Sequence, residues 1–318
     1  MDERTQRKYL RSRLGRPGWA LLIYYGIMNL AVMLVIFVDA IFRILRSGLD
    51  GVFQSDLMKA LTGNAWGYFL AVGIGLIIML LWKGKRFCFG EIWSRGRPMT
   101  VRDLLGLLCV FISGQLLFQM AAMSLEMILN LFGLSALEAI NNASAGADTL
   151  SMYLYVGILA PIAEELLFRG LILRTMLPFG KSFAIFTSAF LFGIYHGNLV
   201  QSPFAFAVGL VLGYTAVEYS VAWAMVVHMF NNLILSDMQN RLTSDLPENT
   251  AALINWGIIL VIAVAGLFIL ISKRQQIREY LRRNPLDRQC LHCFFSAPGT
   301  IVIMIIMGIS MLVSITTL

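Results

Sequence analysis

Residues 251–272 read AALINWGIILVIAVAGLFILIS, an apolar run without a charge, closed by Lys273. A helix rises 1.5 Å per residue, so roughly 20 apolar residues cross the hydrocarbon core of a bilayer. This run is a membrane span, and it is not alone. Working outward, segments 19–38, 65–82, 104–123 and 300–318 are likewise free of charge. Segments 151–173 and 182–200 are long enough but carry ionisable groups. Segments 203–217 and 221–235 are short and separated only by Glu218, Tyr219 and Ser220, which reads as a tight helical hairpin. The expectation is an all-α polytopic membrane protein, a bundle of about 8–9 transmembrane helices around an intramembrane polar cavity.

Composition agrees. Hydrophobic residues make up 58% of the 318 and charged residues 14%, whereas a soluble domain carries about 25% charged residues. So few charges cannot coat a globule of this size. Disorder, collagen and coiled coil are excluded by the same figures, and four cysteines are too few for a disulfide scaffold.

The net charge of +7 does not point to nucleic acid, because Lys and Arg sit in short runs between apolar blocks. With the N-terminus in the cytoplasm and the C-terminus outside, 21 of the 25 Lys and Arg fall on the inner side. The first span ends without a small-x-small cleavage site and reads as a signal anchor. Three regions follow: 1–150 with three spans and an outer connection, 151–236 with four spans, and 237–318 with two spans and a basic cytoplasmic loop. Within the outer connection, 124–147 mixes apolar and polar residues and is expected at the outer interface. The loop's basic run, 273–288, is expected to contact anionic lipid, and membrane lipids are the partners composition implies.

Ionisable groups at depth are the informative ones, because each is costly unless paired or useful. Glu164, Glu165 and Arg169 lie in the fourth span, His196 in the fifth and His228 in the seventh. Glu165 and Arg169 are i,i+4 and share a face, so they can pair. Glu164 is about 100° further round the helix and lacks that partner, as a general base would. His228 and Asn232 are also i,i+4. Phe192, at i−4, packs against His196. A carboxylate and an imidazole polarise a water, and a His–Asn pair can donate hydrogen bonds to an oxyanion, which suits acyl-bond hydrolysis. Taken singly, each group also has a plain structural reading, as an ion pair fixing helix packing or as polar glue between helices. Glu218 reads as solvated, and Cys290-Leu-His-Cys293 as a structural or incidental loop with reduced thiols.

The segments Glu164-Glu165-Leu-Leu-Phe-Arg169, Phe192-Gly-Ile-Tyr-His196 and His228-Met-Phe-Asn-Asn232 give EExxxR, FxxxH and HxxxN in order. On these three motifs the chain resembles the CAAX protease and bacteriocin-processing family of intramembrane endopeptidases. The resemblance implies a water-accessible cavity in which Glu164 with His196 activates water and His228 with Asn232 stabilises the oxyanion. It implies a structural or substrate-orienting role for Glu165 and Arg169. The substrate it implies is a membrane-associated or lipidated protein or peptide cut near its C-terminus, in CAAX-type or bacteriocin and signal-peptide processing, at a bacterial cell membrane. No cofactor is favoured. A divalent metal such as zinc would fall to Glu164, His196 and His228, but no H-E-x-x-H is present and an Asn is a poor zinc ligand. The alternatives are a proton-coupled membrane transporter, against which the lack of inverted repeats counts, and a catalytically silent immunity or scaffold relative.

Overall fold

The computed structural model describes residues 2–47, 65–136, 149–233 and 245–317. Among the described residues the protein is all-α but for one two-residue antiparallel pair, β1 (Leu134–Ser135) with β2 (Thr316–Thr317). Asp2 starts α1 (Glu3–Leu14) by accepting the Thr5 N–H at 2.8 Å, an N-cap that satisfies one orphan donor of the first turn. The long α2 (Arg16–Ser47) follows. Against it lies α3 (Trp66–Phe89), with Gly67 on Val32 and Gly75 on Tyr24, so the two run antiparallel in a fixed register. Then comes α4 (Val101–Asn130), opened by the Thr100 cap. Its last turns cover 124–130, and Glu126 there is buried, accepting from Ser135 Oγ at 2.5 Å and from the Ala136 N–H at 2.9 Å. Residues 137–148, the remainder of the outer connection, lie outside the described residues.

The fourth apolar segment is not one uniform helix. It runs as α5 (Leu150–Leu154), a π-helical turn at Tyr155–Leu159, α6 (Ala160–Glu165) and a longer π-helical stretch at Leu166–Leu173. A π turn shifts the hydrogen-bond ladder by one residue and leaves carbonyls for outside donors. Ser188 Oγ donates to the Phe168 carbonyl at 2.8 Å and Asn232 Nδ2 to that of Val156 at 2.9 Å. Beyond it, α7 (Lys181–Tyr195) and α8 (Gln201–Glu218) cross closely. A Cβ on Gly209 would meet Ala189 Cα at 3.0 Å, and one on Gly213 would meet Ile185 at 3.2 Å. Small residues let backbones approach in this way inside membranes. The chain leaves α7 through Gly197, whose φ of 58° favours glycine. It turns from α8 at Tyr219-Ser220, as the hairpin reading expects, into α9 (Val221–Phe230).

The C-terminal region holds α10 (Glu248–Ser272), α11 (Arg274–Arg283), α12 (Arg288–Phe295) and α13 (Pro298–Val313). Ser113 Oγ ties α4 to α10 through the Ala263 carbonyl at 2.6 Å. Gly299 at the head of α13 sits on the backbone of Gly15 and Gly18, so the first and last long helices cross in direct contact. Cys290 and Cys293 are free thiols buried on α12.

Among the described residues four helices are long and apolar enough to cross a membrane, five if the α12–α13 pair, bent by 61°, counts as one span. That is fewer than the nine apolar segments of the sequence. The difference lies mainly in the middle, where α7 has 15 residues and α9 has 10, and where the fourth segment is broken by its π turns. The outer faces carry exposed Leu30, Leu45, Leu81 and Val261, each at 70% or more. Apolar area of that kind belongs against lipid. This is an integral membrane protein.

Candidate active site

The site is built on the short α6. Glu165 and Arg169, one turn apart, are both wholly buried and joined at 2.9 Å, Arg169 Nη1 to Glu165 Oε1. Arg169 Nη2 donates to the Gly209 carbonyl at 3.2 Å, and its guanidinium lies 4.4 Å from the Phe192 ring centroid. A buried ion pair offsets its desolvation best when further hydrogen bonds join it; here two do, from α8 and α9, while Glu165 Oε2 and Arg169 Nε have no hydrogen-bond partner among the described residues. The third bond is from His228, whose Nδ1 donates to Glu165 Oε1 at 3.0 Å.

That bond decides the imidazole's tautomer. An ionised carboxylate only accepts, so the proton sits on Nδ1. The opposite nitrogen, Nε2, then points to Glu164 Oε2, 3.7 Å away. Glu164 is the more accessible carboxylate, its side chain 25% exposed against 0% for Glu165. His228 thus stands between two carboxylates, anchored by one and facing the other.

His196, at the end of α7, is held in the same fashion. Its Nδ1 donates to the Phe192 carbonyl at 2.9 Å, which leaves Nε2 as the open nitrogen. Phe192 is the element common to both rings, edge-on to His196 at 4.9 Å and to His228 at 5.8 Å. Of the expected residues, the fold gathers Glu165, Arg169, His228 and Phe192 into one bonded cluster with Glu164 at its edge. Asn232 is bonded to the Val156 carbonyl and accepts from Asn231 Nδ2 at 2.9 Å.

Anchored Nδ1 atoms would also orient two imidazoles for a metal. Among the described residues, however, no three His, Cys, Asp or Glu side chains gather as one metal ion requires.

Sequence reasoning missed the phenols around Glu164. Tyr24 from α2, Tyr155 from the first π turn and Tyr195 from α7 all lie within Coulombic reach of it. The available signal was their position, since Tyr195 directly precedes His196 and Tyr24 interrupts an apolar span. Tyr24 also lines an apolar cavity of about 260 Å3 bounded by α2, α3 and the Ala163–Leu171 face of the fourth segment.

All three motifs lie between 164 and 232, and the comparison with known families converges on the same stretch. Residues 146–234 match type II CAAX prenyl endopeptidase Rce1-like. The Rce1-like segment therefore holds α5, α6, both π turns, α7, α8 and α9, and every residue of the cluster. The comparisons with curated proteins and with solved structures gave no match. What surrounds the Rce1-like segment is known from this fold alone: α2 and α3 wall its apolar cavity, and α13 backs the His196 turn through Met307 and Ser310, which adjoin Gly197.

Proposed function

We propose that this protein is an intramembrane endopeptidase that cuts a membrane-associated or lipidated protein or peptide near its C-terminus, with water activated by Glu164 and without a metal. The observation that carries this reading is the facing pair, Glu164 Oε2 and His228 Nε2, 3.7 Å apart. With Nδ1 committed to Glu165, both facing atoms are acceptors. One water can donate a hydrogen to each. Glu164 takes the proton as the water oxygen adds to the peptide carbonyl carbon, then returns it to the leaving amine as the C–N bond breaks. His196, with Nδ1 held by the Phe192 carbonyl, presents Nε2 as a further acceptor that orients the attacking water. Asn232 braces α9 against the fourth segment through Val156, so its part is to position His228. Glu165 and Arg169 hold the imidazole in register.

The apolar cavity supports a lipid-bearing substrate. From Arg16 to Ile27 on α2 it runs roughly 16 Å, about half the hydrocarbon thickness, and Ala163, next to Glu164, is part of its lining. A hydrocarbon tail lying there brings the attached polypeptide to the carboxylate. The inward N-terminus and a bacterial cell membrane belong to the same proposal and rest on the charge bias and the resemblance.

The test is peptide cleavage by the purified full-length protein in liposomes. Prenylated and plain fluorogenic peptides are compared for wild type and Glu164→Gln, with and without a chelator. The expected result is preferential cleavage of prenylated peptides, a loss of about 10²–10⁴-fold in the variant and indifference to the chelator. Equal cleavage by the variant, or none by wild type across the panel, would sink the peptidase reading. Loss of cleavage with chelator would overturn its metal-free form.

A further inference from the structure

The basic run after α10 has no part in the site, yet the fold gives it a definite shape. Helix α11 begins at Arg274, two residues after α10 ends. Arg274, Arg278 and Arg282 fall at i, i+4 and i+8 and form one row; Ile277 and Leu281 form the row beside it. All five side chains are exposed, Ile277 at 40% and Leu281 at 52%. The only ion pair on this helix among the described residues, Arg283 to Glu279 at 3.9 Å, lies away from that row. Tyr280 points the other way, into the protein. Its hydroxyl donates to Glu218 Oε1 at 2.9 Å and its ring packs on Tyr214 at 5.6 Å. Burial, then the bond to Glu218, push this phenol up, so it remains a donor at neutral pH.

Glu218, read as solvated from its place at a span end, is partly buried and paired. Its side chain is 19% exposed and also takes Lys181 Nζ at 2.8 Å, while its carbonyl accepts the Arg97 N–H at 2.9 Å. It is the last residue of α8, and α9 with His228 starts three residues on.

We propose that α11 is a docking surface for anionic phospholipid headgroups and that the Tyr280–Glu218 contact carries its occupancy to the α8–α9 turn. The pairing of rows commits the surface to lipid. Arginines meet phosphate oxygens through charge-assisted bonds, while Ile277 and Leu281 enter the acyl boundary, as on other interfacial helices. An acidic peptide would match the arginines and leave the apolar pair bare. The place is right as well, since a span ends where α11 begins. Lipid docking stands apart from the peptidase reading; only an effect on turnover rests on it.

The experiment uses the full-length protein in zwitterionic micelles, titrated with phosphatidylglycerol or, as control, phosphatidylcholine. Readouts are the thermal unfolding midpoint and hydrogen exchange over 214–222. Each arginine near an anionic surface is worth roughly fivefold in association, so the response should be strong at low salt and fade as salt screens it. The expected result is a midpoint rise with phosphatidylglycerol alone, lost in R274Q/R278Q/R282Q and kept in the triple lysine variant. Tyr280→Phe should keep the midpoint response and lose the added protection at 214–222. Equal response to both lipids, or an undiminished response in the triple glutamine variant, overturns the docking surface. Protection at 214–222 that survives Tyr280→Phe overturns the coupling. Peptidase failure would change none of these readouts.

Discussion

Glu165 takes two hydrogen bonds on a single oxygen, from Arg169 and from His228. Replacing it by Gln leaves Arg169 a buried charge without a counter-ion, which typically costs about 3–5 kcal/mol. Glu165→Gln should therefore unfold at markedly lower denaturant in mixed micelles, and the double variant Glu165→Gln, Arg169→Met should recover much of the loss. A single variant as stable as wild type would mean that the charge is relieved elsewhere. The i,i+4 pair was legible in the sequence, since helical spacing alone puts Glu165 and Arg169 on one face. The bond from His228 was not. It joins residues 63 apart and depends on how α9 lies against α6, which no local pattern encodes. Spacing therefore gave Glu165 a lesser part than its contacts do. In the proposed scheme it sets the tautomer of the imidazole beside Glu164.

At the level of elements, the apolar segments found by hydropathy coincide with helices, and what hydropathy misses is backbone irregularity. Both π turns in the fourth segment look like ordinary apolar helix in the sequence, although their spare carbonyls fix Ser188 and Asn232. The α7–α8 crossing was within reach, because Gly209-x-x-x-Gly213 places two small residues on one face. Gly209→Leu should drive Ala189 and Phe192 away, since even a Cβ there meets the Ala189 backbone at 3.0 Å and the Phe192 ring at 3.3 Å. Overpacking of this kind costs about 1–3 kcal/mol. The Arg169 bond to the Gly209 carbonyl should loosen with it. A lowered unfolding midpoint together with a fall in activity steeper than for Gly213→Ala would bear this out. An unchanged midpoint would show that the crossing yields.

Across the whole molecule, the flanking spans carried no usable motif, and their role emerges only from packing. Gly299 of α13 lies against Gly15, Gly18 and Trp19, while Met307 and Ser310 on the same helix adjoin Gly197. One helix thus joins the N-terminal region to the turn behind His196. Gly299→Val should destabilise the protein by about 1–3 kcal/mol, because the nearest opposing atom is the Gly15 carbonyl oxygen, which cannot move aside, whereas Gly308→Ala, which faces open space, should not. Equal midpoints for the two variants would count against the crossing. The order of synthesis gives this contact a further meaning. The ribosome delivers α7, its histidine and the Gly197 turn well before it delivers α13. Until that last helix inserts and finds its place against α2, the turn behind His196 lacks its wall. In the proposed scheme the site would therefore be complete only once the last helix has docked, whatever the order in which its own residues enter the bilayer.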